Sequence, residues 1–355
     1  MPNIGRTGKH ALGAFVCVAV LAAAGAAFAA SPQSAPPKDL DPSYKTVPEW
    51  GAELPGGRKW GSASAIEADI DGVHIWVMDR CGANSCVGST VDPIFKIDPA
   101  GKVVAHFGGG MMAQPHGITV DKSGNVWVTD DRFDEATHKG AQVFKFSPQG
   151  KLLMTLGKAG VSAEGPDTFV APTDVIVAPN GNIFVSDGHV GSKPVGRIVV
   201  FSPEGKFIKQ FGKYGKEPGD LIDVHCLAFD SKGRLFAADR ENSRIQIFDQ
   251  DGKLLAVWKQ FGRPSGFVID KNDMLYVTDS ESTDKQVRGY NPGFKPMLWV
   301  GSAATGEVTG TLVVPTQEAR DGGLLEGITI DAAGNLYTAE VFPKGLTGAH
   351  KHAKR

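Results

Sequence analysis

Two features are missing from this sequence of 355 residues, and each absence excludes a class of protein. No long stretch shows the 3.6-residue apolar periodicity of an amphipathic helix, which excludes a helical architecture. No charge of one sign dominates, because 37 Lys and Arg side chains stand against 39 Asp and Glu, for a formal net charge of −2. Without a basic surface field, we expect no nucleic-acid partner.

The one long apolar run lies at the N-terminus. Arg6 and Lys9 precede a run of Ala, Gly, Val, Leu and Phe from Ala11 to Phe28, and small residues flank the expected cleavage point. The run is short and only weakly apolar, so it predicts a signal peptide over residues 1–29 rather than a membrane anchor. A flexible leader is expected over residues 30–45. The mature protein should then be secreted or periplasmic, without membrane association.

Cysteine is also scarce, with four residues in the chain. Cys17 falls inside the predicted signal peptide. Export would place Cys81 and Cys86 in an oxidising compartment, where their spacing permits a disulfide. Cys226 has no predicted partner.

What the chain does contain is an internal repeat. A tight turn, usually Asp-x-x-Gly, precedes a β-rich run that ends in Asp or Glu, and short period-two segments follow it. Such runs are antiparallel strands joined by tight turns. Six copies, each with three or four strands in about 40–60 residues, predict one six-bladed β-propeller over residues 46–355. The six runs end at Asp79, Asp130, Asp187, Asp239, Asp279 and Glu340.

The aspartates that open the turns recur at the same point of the repeat. Asp121, Asp230, Asp270 and Asp331 can each accept backbone N–H groups of their own turn, and Gly124 can supply the positive φ that closes one of them. Recurrence in blade after blade favours a structural turn cap over a metal ligand.

Two histidines occupy one repeat phase, two blades apart. His116 and His225 each begin an expected inner strand, and alignment of the copies places Thr173, Ser265 and Glu326 at the same point of blades three, five and six. Either histidine alone could simply form a hydrogen bond across the channel. Alternate blades of a six-membered ring are related by about 120°, so His116, His225 and Glu326 could converge on one ion and leave an open position, with zinc favoured. Thr173 and Ser265 would contact the substrate.

The segment from Ala238 to Phe248, Ala-Asp-Arg-Glu-Asn-Ser-Arg-Ile-Gln-Ile-Phe, resembles the NHL repeat. Together with His225 and with Pro115-His116-Gly117, it makes the chain similar to the peptidyl-α-hydroxyglycine α-amidating lyases from about Ile75 to Glu340. The resemblance implies a reaction that splits a peptidyl-α-hydroxyglycine into a peptide amide and glyoxylate. It further implies a zinc held by three histidines, a tyrosine base, and arginines that hold the substrate carboxylate.

The resemblance also implies roles for individual residues. His116 and His225 fall on two of the family's zinc ligands, and Arg80 falls on an arginine that assists catalysis. Arg240 and Arg244 fall on the two arginines of the NHL-like element, and Arg244 is the one expected to face the substrate during catalysis. Arg240 is expected to bind the substrate.

Two residues depart from the family pattern at chemically central places. Glu326 stands where the family has its third zinc histidine, and His189 stands where it has its tyrosine. A carboxylate in place of imidazole lowers the charge of a zinc site by one, which weakens its pull on a bound hydroxyl. A histidine is better matched than tyrosine to act as a base near neutral pH, so the two changes could compensate. The family's structural calcium is less expected, because Gly327 replaces a contributing aspartate.

Three functional interpretations follow. The first is a zinc-dependent, lyase-like enzyme, expected to be a monomer, that acts on a small carboxylate-bearing or peptide substrate in the axial channel. The second is a non-catalytic NHL propeller that binds a peptide or protein partner. The third is a calcium-dependent lactone hydrolase, which is disfavoured because calcium prefers oxygen ligands and the axis offers histidines. The long loops over 131–140 and 189–196 are expected to build the site.

Overall fold

A computed structural model describes residues 43–312, 324–342 and 348–355. The predicted signal peptide and most of the predicted leader lie outside these ranges. The described chain consists of 24 β-strands and two short 3₁₀ turns, at Pro55–Gly57 and Arg240–Asn242, with no α-helix. Nothing helical in this part of the chain has the length and apolarity to cross a bilayer.

The strands form six four-stranded antiparallel sheets, which confirms the predicted six-bladed β-propeller. Blade one contains β2 (Ala63–Ala68), β3 (Ile75–Asp79), β4 (Ile94–Ile97) and β5 (Val103–Phe107). Blade two contains β6 (Pro115–Val120), β7 (Val126–Asp130), β8 (Gln142–Phe146) and β9 (Leu152–Leu156). Blade three contains β10 (Pro172–Val177), β11 (Ile183–Asp187), β12 (Arg197–Phe201) and β13 (Phe207–Phe211).

The second half of the ring repeats this order. Blade four contains β14 (Val224–Phe229), β15 (Leu235–Asp239), β16 (Arg244–Phe248) and β17 (Leu254–Trp258). Blade five contains β18 (Pro264–Ile269), β19 (Met274–Asp279), β20 (Met297–Ser302) and β21 (Val308–Leu312). Blade six contains β22 (Leu324–Ile330), β23 (Leu336–Val341), β24 (Ala349–Lys354) and the N-terminal strand β1 (Tyr44–Val47).

The ring is closed by strands from the two ends of the described chain. In blade six, β1 pairs antiparallel with β24, from Tyr44 opposite Lys354 to Val47 opposite Lys351. Strand β1 thus begins at Tyr44, inside the leader predicted over residues 30–45. This pairing joins the first and last parts of the ring by backbone hydrogen bonds, and it covers an otherwise unpaired strand edge.

The hydrophobic core lies between neighbouring blades. Successive side chains of a strand point to opposite faces, so in β3 Ile75 and Val77 pack with blade six while Trp76 and Met78 pack with blade two. Both faces of the second strand of a blade are therefore covered, and β3 is buried throughout. This explains why these strands have continuous apolar sequences while the outermost strands alternate with solvent-exposed positions.

The predicted turn caps are present. Asp121 Oδ1 accepts the backbone N–H groups of Ser123 and Asn125 at 2.9 and 3.0 Å, and Gly124 has φ 79°. Asp230, Asp270 and Asp331 accept the equivalent pairs of N–H groups. These carboxylates are therefore used by their own turns. Because the turns join the first and second strands of each blade, they lie on the face of the ring opposite the long loops.

The long loops share the other face of the propeller. Strands within a blade are antiparallel, so the second strand of each blade ends on the face where the innermost strand begins. The loop after the second strand and the connection between blades both lie on that face. A residue at the start of a first strand can therefore meet a residue just after a second strand. The predicted disulfide Cys81–Cys86 lies in one of these loops and is confirmed.

Candidate metal centre

His116 and His225 enter the central channel at β-bulges. His116 is the second residue of β6 and His225 the second residue of β14, and in both strands the pairing register shifts across the histidine. A bulge leaves its residue outside the regular ladder and re-aims the side chain. Both imidazoles line the same channel, which is formed by the innermost strands of the blades.

His189 reaches the same place from a loop. Its predecessor Gly188 directly follows the second strand of blade three, has φ 131°, and donates its N–H to the Ala171 carbonyl at 2.9 Å. A Cβ at Gly188 would lie 1.9 Å from the Val195 carbonyl oxygen, so only glycine fits this turn. The turn delivers His189 to the channel beside the two strand histidines.

The three histidines form one group. Each offers a ring nitrogen, and these nitrogens lie within 4.8 Å of one another. The ring centroids of His116 and His225 are 4.5 Å apart, and that of His189 lies 4.7 and 5.5 Å from them. Among the residues that the structure describes, no other group of three His, Cys, Asp or Glu side chains is close enough to hold an ion.

The Nδ1 atom of each histidine faces a fixed acceptor. His116 Nδ1 lies 2.8 Å from the Thr173 carbonyl oxygen, and His225 Nδ1 lies 2.7 Å from that of Ser265. A carbonyl can only accept, so both Nδ1 atoms carry the proton and both Nε2 atoms keep a lone pair. His189 Nδ1 lies 2.9 Å from Asp131 Oδ2. Metal-binding histidines are typically held by a carbonyl or carboxylate on the second ring nitrogen. His116 and His225 are bonded in this way, while His189 Nδ1 is close to its carboxylate without hydrogen-bond geometry.

Burial keeps the strand histidines neutral. It lowers the pKa of His116 to about 3, helped by the nearby His189, and it lowers the pKa of His225 well below its usual range. For Asp131, burial opposes ionisation, but the neighbouring imidazoles and the Arg80 guanidinium lower its pKa to about 2. Neutral imidazole is the form that binds a metal.

Glu326, the predicted third ligand, lies at the edge of the histidine group and is not one of its three members. Its Oε2 is 3.1 Å from His225 Nε2 and 3.3 Å from Arg240 Nη1. Burial raises the pKa of its carboxyl, while the Arg240 charge acts in the opposite direction. The structure therefore corrects the predicted trio: the third imidazole comes from His189, and Glu326 contacts one histidine and one arginine.

Arg240 is buried and its charge is already balanced. Its Nε donates to Asp223 Oδ2 at 2.7 Å, its Nη1 faces Glu326, and its Nη2 lies 3.5 Å from His189 Nε2. The pKa of Arg240 is raised, because the charges of Asp223 and Glu326 outweigh the effect of burial. The predicted substrate contact of Arg240 is therefore replaced by ion pairs within the protein.

Arg80 is placed differently. Its Nε donates to the Pro115 carbonyl at 3.1 Å and its Nη1 to Asn84 Oδ1 at 2.8 Å. Within the described chain, Nη2 has no hydrogen-bond acceptor, and the Asp131 and Glu326 charges are close enough to act on Arg80. Arg80 is therefore the arginine of the predicted set that retains a donor for a ligand.

Arg244 does not reach the histidines. Its Nε donates to Asp239 at 2.5 Å, and its two Nη atoms donate to the carbonyls of Lys216, Glu217 and Asp220. Blade three repeats the arrangement, since Arg197 donates to Asp187 at 2.9 Å. The predicted catalytic placement of Arg244 is not what the structure shows: the side chain braces the connection between blades three and four.

Thr173 and Ser265 are also placed differently from the prediction. Both residues are fully buried. The Thr173 hydroxyl bonds to Ser186 Oγ at 2.7 Å and to the Val224 carbonyl, and the Ser265 hydroxyl bonds to Ser280 Oγ at 2.6 Å. Their backbone carbonyls accept from the two strand histidines, so they orient those imidazoles and expose no side chain to a substrate.

Asp131 belongs to the site and was not among the predicted site residues. It is fully buried and follows the last residue of the second strand of blade two. Alignment of the blades on strand ends, instead of on strand starts, puts Arg80, Asp131, Gly188 and Arg240 at one position of the repeat. That second alignment is the sequence signal that could have found Asp131.

Comparison with known proteins supports the repeat and the family resemblance. The family model described as NHL repeat matches residues 112–135 and 221–248, which include His116 and His225. The chain is 41% identical over 164 residues to the peptidyl-glycine alpha-amidating monooxygenase of Mus musculus, and the match covers 44% of this chain and 16% of that protein. It is 38% identical over 149 residues to a probable peptidyl-alpha-hydroxyglycine alpha-amidating lyase of Caenorhabditis elegans, covering 41% and 39%. These matches span well under half the length of either relative.

Solved structures share the fold at low sequence identity. A gluconolactonase from Xanthomonas campestris superposes with a TM-score of 0.57 at 16% identity, over 91% of this chain and 98% of that one. A streptogramin B lyase superposes with a TM-score of 0.55 at 14% identity, over 88% and 97%. At such identities the likeness supports the fold alone. The chain is thus a six-bladed β-propeller with NHL repeats, and it resembles the peptidyl-α-hydroxyglycine α-amidating lyases over part of its length.

Proposed function

We propose that this chain is an exported, zinc-dependent lyase that cleaves a peptidyl-α-hydroxyglycine into a peptide amide and glyoxylate. The observation that carries the proposal is the convergence of three imidazoles, two buried and the third, His189, partly exposed, whose Nδ1 atoms all face fixed acceptors. The similarity to relatives named as lyases supplies the reaction class.

The donor set fits zinc. Three imidazoles with one position left open are a frequent catalytic zinc arrangement, and imidazole suits zinc better than calcium or magnesium. His116, His189 and His225 would hold the ion through Nε2. A bound zinc would act as a Lewis acid on the substrate oxygen and ease loss of the hydroxyl proton. The predicted structural calcium stays a prediction, and zinc is the only metal that this proposal requires.

Arg80 is the residue we assign to the substrate carboxylate. The glycine-derived carboxylate of the substrate needs a guanidinium with a free donor. Arg80 has such a donor in Nη2, whereas Arg240 is already paired with Asp223 and Glu326. Its Nε and Nη1 bonds to Pro115 and Asn84 hold the guanidinium in place before a ligand arrives.

Proton transfer cannot be assigned to His189 if its Nε2 binds the metal. The Glu326 carboxylate, whose Oε2 lies 3.1 Å from His225 Nε2, is the acidic group that contacts a metal-facing imidazole nitrogen. It would take the α-hydroxyl proton, the C–O bond would become C=O, and the C–N bond would break. The same proton would then pass to the leaving amide nitrogen, so no further reactant is consumed.

The proposal is tested by metal analysis and by product formation. The mature protein should contain about one zinc per chain, and His116→Ala should lose it. The wild type should release glyoxylate and a peptide amide from a synthetic peptidyl-α-hydroxyglycine, and chelation should abolish the release. Zinc-free protein without turnover would overturn the proposal. Peptide binding without glyoxylate release would favour the non-catalytic NHL propeller instead.

Export and the monomeric state complete the proposal. The N-terminal sequence supports export. The monomeric state is supported by the histidine group, whose three members all come from one chain. Expression of the full chain tests export, since the N-terminal segment should be removed. Size-exclusion chromatography of the mature protein tests the monomeric state.

A further inference from the structure

We propose that Asp131 is the positioning residue of the metal centre: it fixes the ring orientation and tautomer of His189 and thereby sets the affinity for the ion. This inference rests on the proposed metal site and extends it to a residue that neither the NHL repeat nor the lyase resemblance assigns.

Asp131 is an unusual carboxylate. The side chain is fully buried, and neither its oxygens nor His189 Nδ1 have hydrogen-bond geometry with a described residue, although Nδ1 lies within ion-pair distance of Oδ2. A buried carboxylate in this state is costly to fold, so it needs a compensating charge nearby. The closest polar atom of a charged or ionisable side chain is His189 Nδ1, 2.9 Å from Oδ2. The backbone of Asp131 is held in place, since its N–H donates to the Gln114 carbonyl at 3.0 Å.

The three histidines differ in what holds them. His116 and His225 lie on inner strands, where the innermost strand of the next blade provides a backbone carbonyl for Nδ1. His189 lies in the loop after β11, outside the strand ladder. A side chain from blade two, Asp131, stands where the carbonyl stands for the other two. A carboxylate partner raises the basicity of an imidazole more than a neutral carbonyl does.

Asp131 also balances the charge around the group. Two guanidinium groups flank the histidines, and each would disfavour a cation there. The Arg240 charge is answered by Asp223 at 2.7 Å and by Glu326 at 3.3 Å. The Arg80 charge has Asp131 and Glu326 as its nearby acidic groups. Loss of Asp131 would therefore free the His189 ring and also leave Arg80 with less compensation beside the ion.

The test is zinc affinity of the full mature chain, measured by competition with a chromophoric chelator. Asp131→Asn keeps the shape of the side chain and removes its charge, and we expect about 10–100-fold weaker zinc binding. Asp134→Asn removes one charge from the same loop, where its carboxylate bonds to Thr137, and should bind zinc like the wild type. Co²⁺ substitution provides a second readout, since the visible spectrum of the ion should change in Asp131→Asn and stay unchanged in Asp134→Asn.

A double-mutant cycle separates positioning from a general loss of structure. In a His189→Ala background, whose weak residual zinc affinity is measured at high zinc concentration, Asp131→Asn should cause a much smaller further loss, because the residue that it positions is gone and only its charge effect through Arg80 remains. An equal loss in both backgrounds would overturn the inference, as would wild-type affinity and spectrum in the single Asp131→Asn variant. A wild-type protein that binds no zinc would instead overturn the proposed function, and this inference with it.

Discussion

His225 Nε2 lies 3.1 Å from Glu326 Oε2, while His225 Nδ1 donates to the Ser265 carbonyl 2.7 Å away. The proton on Nδ1 leaves a lone pair on Nε2, directed at a carboxylate that also offers lone pairs. Two acceptors at this distance repel unless a proton or a cation lies between them. The pair therefore marks the part of the channel where a metal and a transferable proton would meet.

Glu326→Gln should abolish most turnover and leave zinc bound. The amide is similar in size but cannot accept the α-hydroxyl proton, so we expect kcat for glyoxylate release to fall by about 10²–10⁴. Zinc content, measured on the same samples, should stay near one per chain.

Glu241→Gln is the control for this variant. Glu241 follows Arg240 in the chain, but its carboxylate pairs with Arg263 at 2.6 Å and Arg288 at 3.1 Å, away from the histidines. It should retain near-normal kcat. Loss of zinc from Glu326→Gln would instead assign Glu326 a ligand role.

His189→Ala should purify without bound zinc, because its affinity for the ion is strongly weakened, and it should lose activity. The sequence alone assigned His189 the role of a base, which predicts an inactive protein that keeps its metal. The structure places its imidazole 4.7 Å from that of His116, within the group of potential ligands. Zinc content of the purified variant distinguishes the two roles, and His138→Ala, on an exposed part of the neighbouring loop, should retain both metal and turnover.

Arg80→Lys should raise KM for the α-hydroxyglycine peptide roughly tenfold, with a smaller effect on kcat. Lysine keeps the charge but cannot hold Pro115 and Asn84 and still present a planar pair of donors to a carboxylate. Steady-state kinetics of glyoxylate release measures the change. An unchanged KM would remove Arg80 from the substrate site.

Arg244→Lys supplies the contrast to Arg80→Lys. All three nitrogens of the Arg244 guanidinium are engaged with Asp239 and with backbone carbonyls. Loss of these bonds should destabilise the fold by roughly 1–3 kcal/mol, since buried carbonyl acceptors lose their donors. Thermal unfolding should show the loss, while KM of the folded fraction should stay near the wild-type value.

Glu67→Gln should lose less stability than the wild type when the pH rises from 4.5 to 8. Burial, with the Asp174 charge as a second cause, raises the pKa of Glu67 to about 8 in the folded state, and the Thr329 hydroxyl opposes the shift only partly. The unfolded chain ionises near 4.5, so the folded state binds more protons between these values. The stabilisation is complete below about pH 4.5 and is lost as pH rises towards 8.

Thermal unfolding at several pH values checks this prediction. The midpoint of Glu67→Gln should match that of the wild type at pH 4.5 and exceed it by several degrees at pH 8. Equal pH dependence in the two proteins would contradict it. Burial also raises the pKa of Asp174, to about 7, so the stability of the variant should still fall with pH, but less steeply than that of the wild type.

The fold was predictable because each blade repeats the same local requirements. The turn at Asp121 needs a carboxylate acceptor and a glycine with positive φ, and both needs are visible in the residues themselves. Counting such turns gave six blades. The pairing of β1 with β24 was not predicted, because the two strands lie about 300 residues apart in the chain and the pairing leaves no local signal.

The site was predictable only in part. Repeat phase located His116 and His225 correctly, since equivalent positions of a closed ring face one channel. Phase also selected Glu326, but a backbone position does not say which neighbour a side chain contacts, and Glu326 lies against Arg240 as well as His225. Arg244 was predicted from the NHL-like motif, and in the structure this arginine of the motif holds the connection between blades three and four.

By itself, the sequence determined the number of blades, the turns, and the two strand positions from which imidazoles enter the channel, because those depend on residues close together in the chain. The tertiary structure alone decided that His189 completes the group and that Asp131 lies behind it. These two residues come from loops of different blades, 58 positions apart, and only closure of the ring brings their side chains within 2.9 Å.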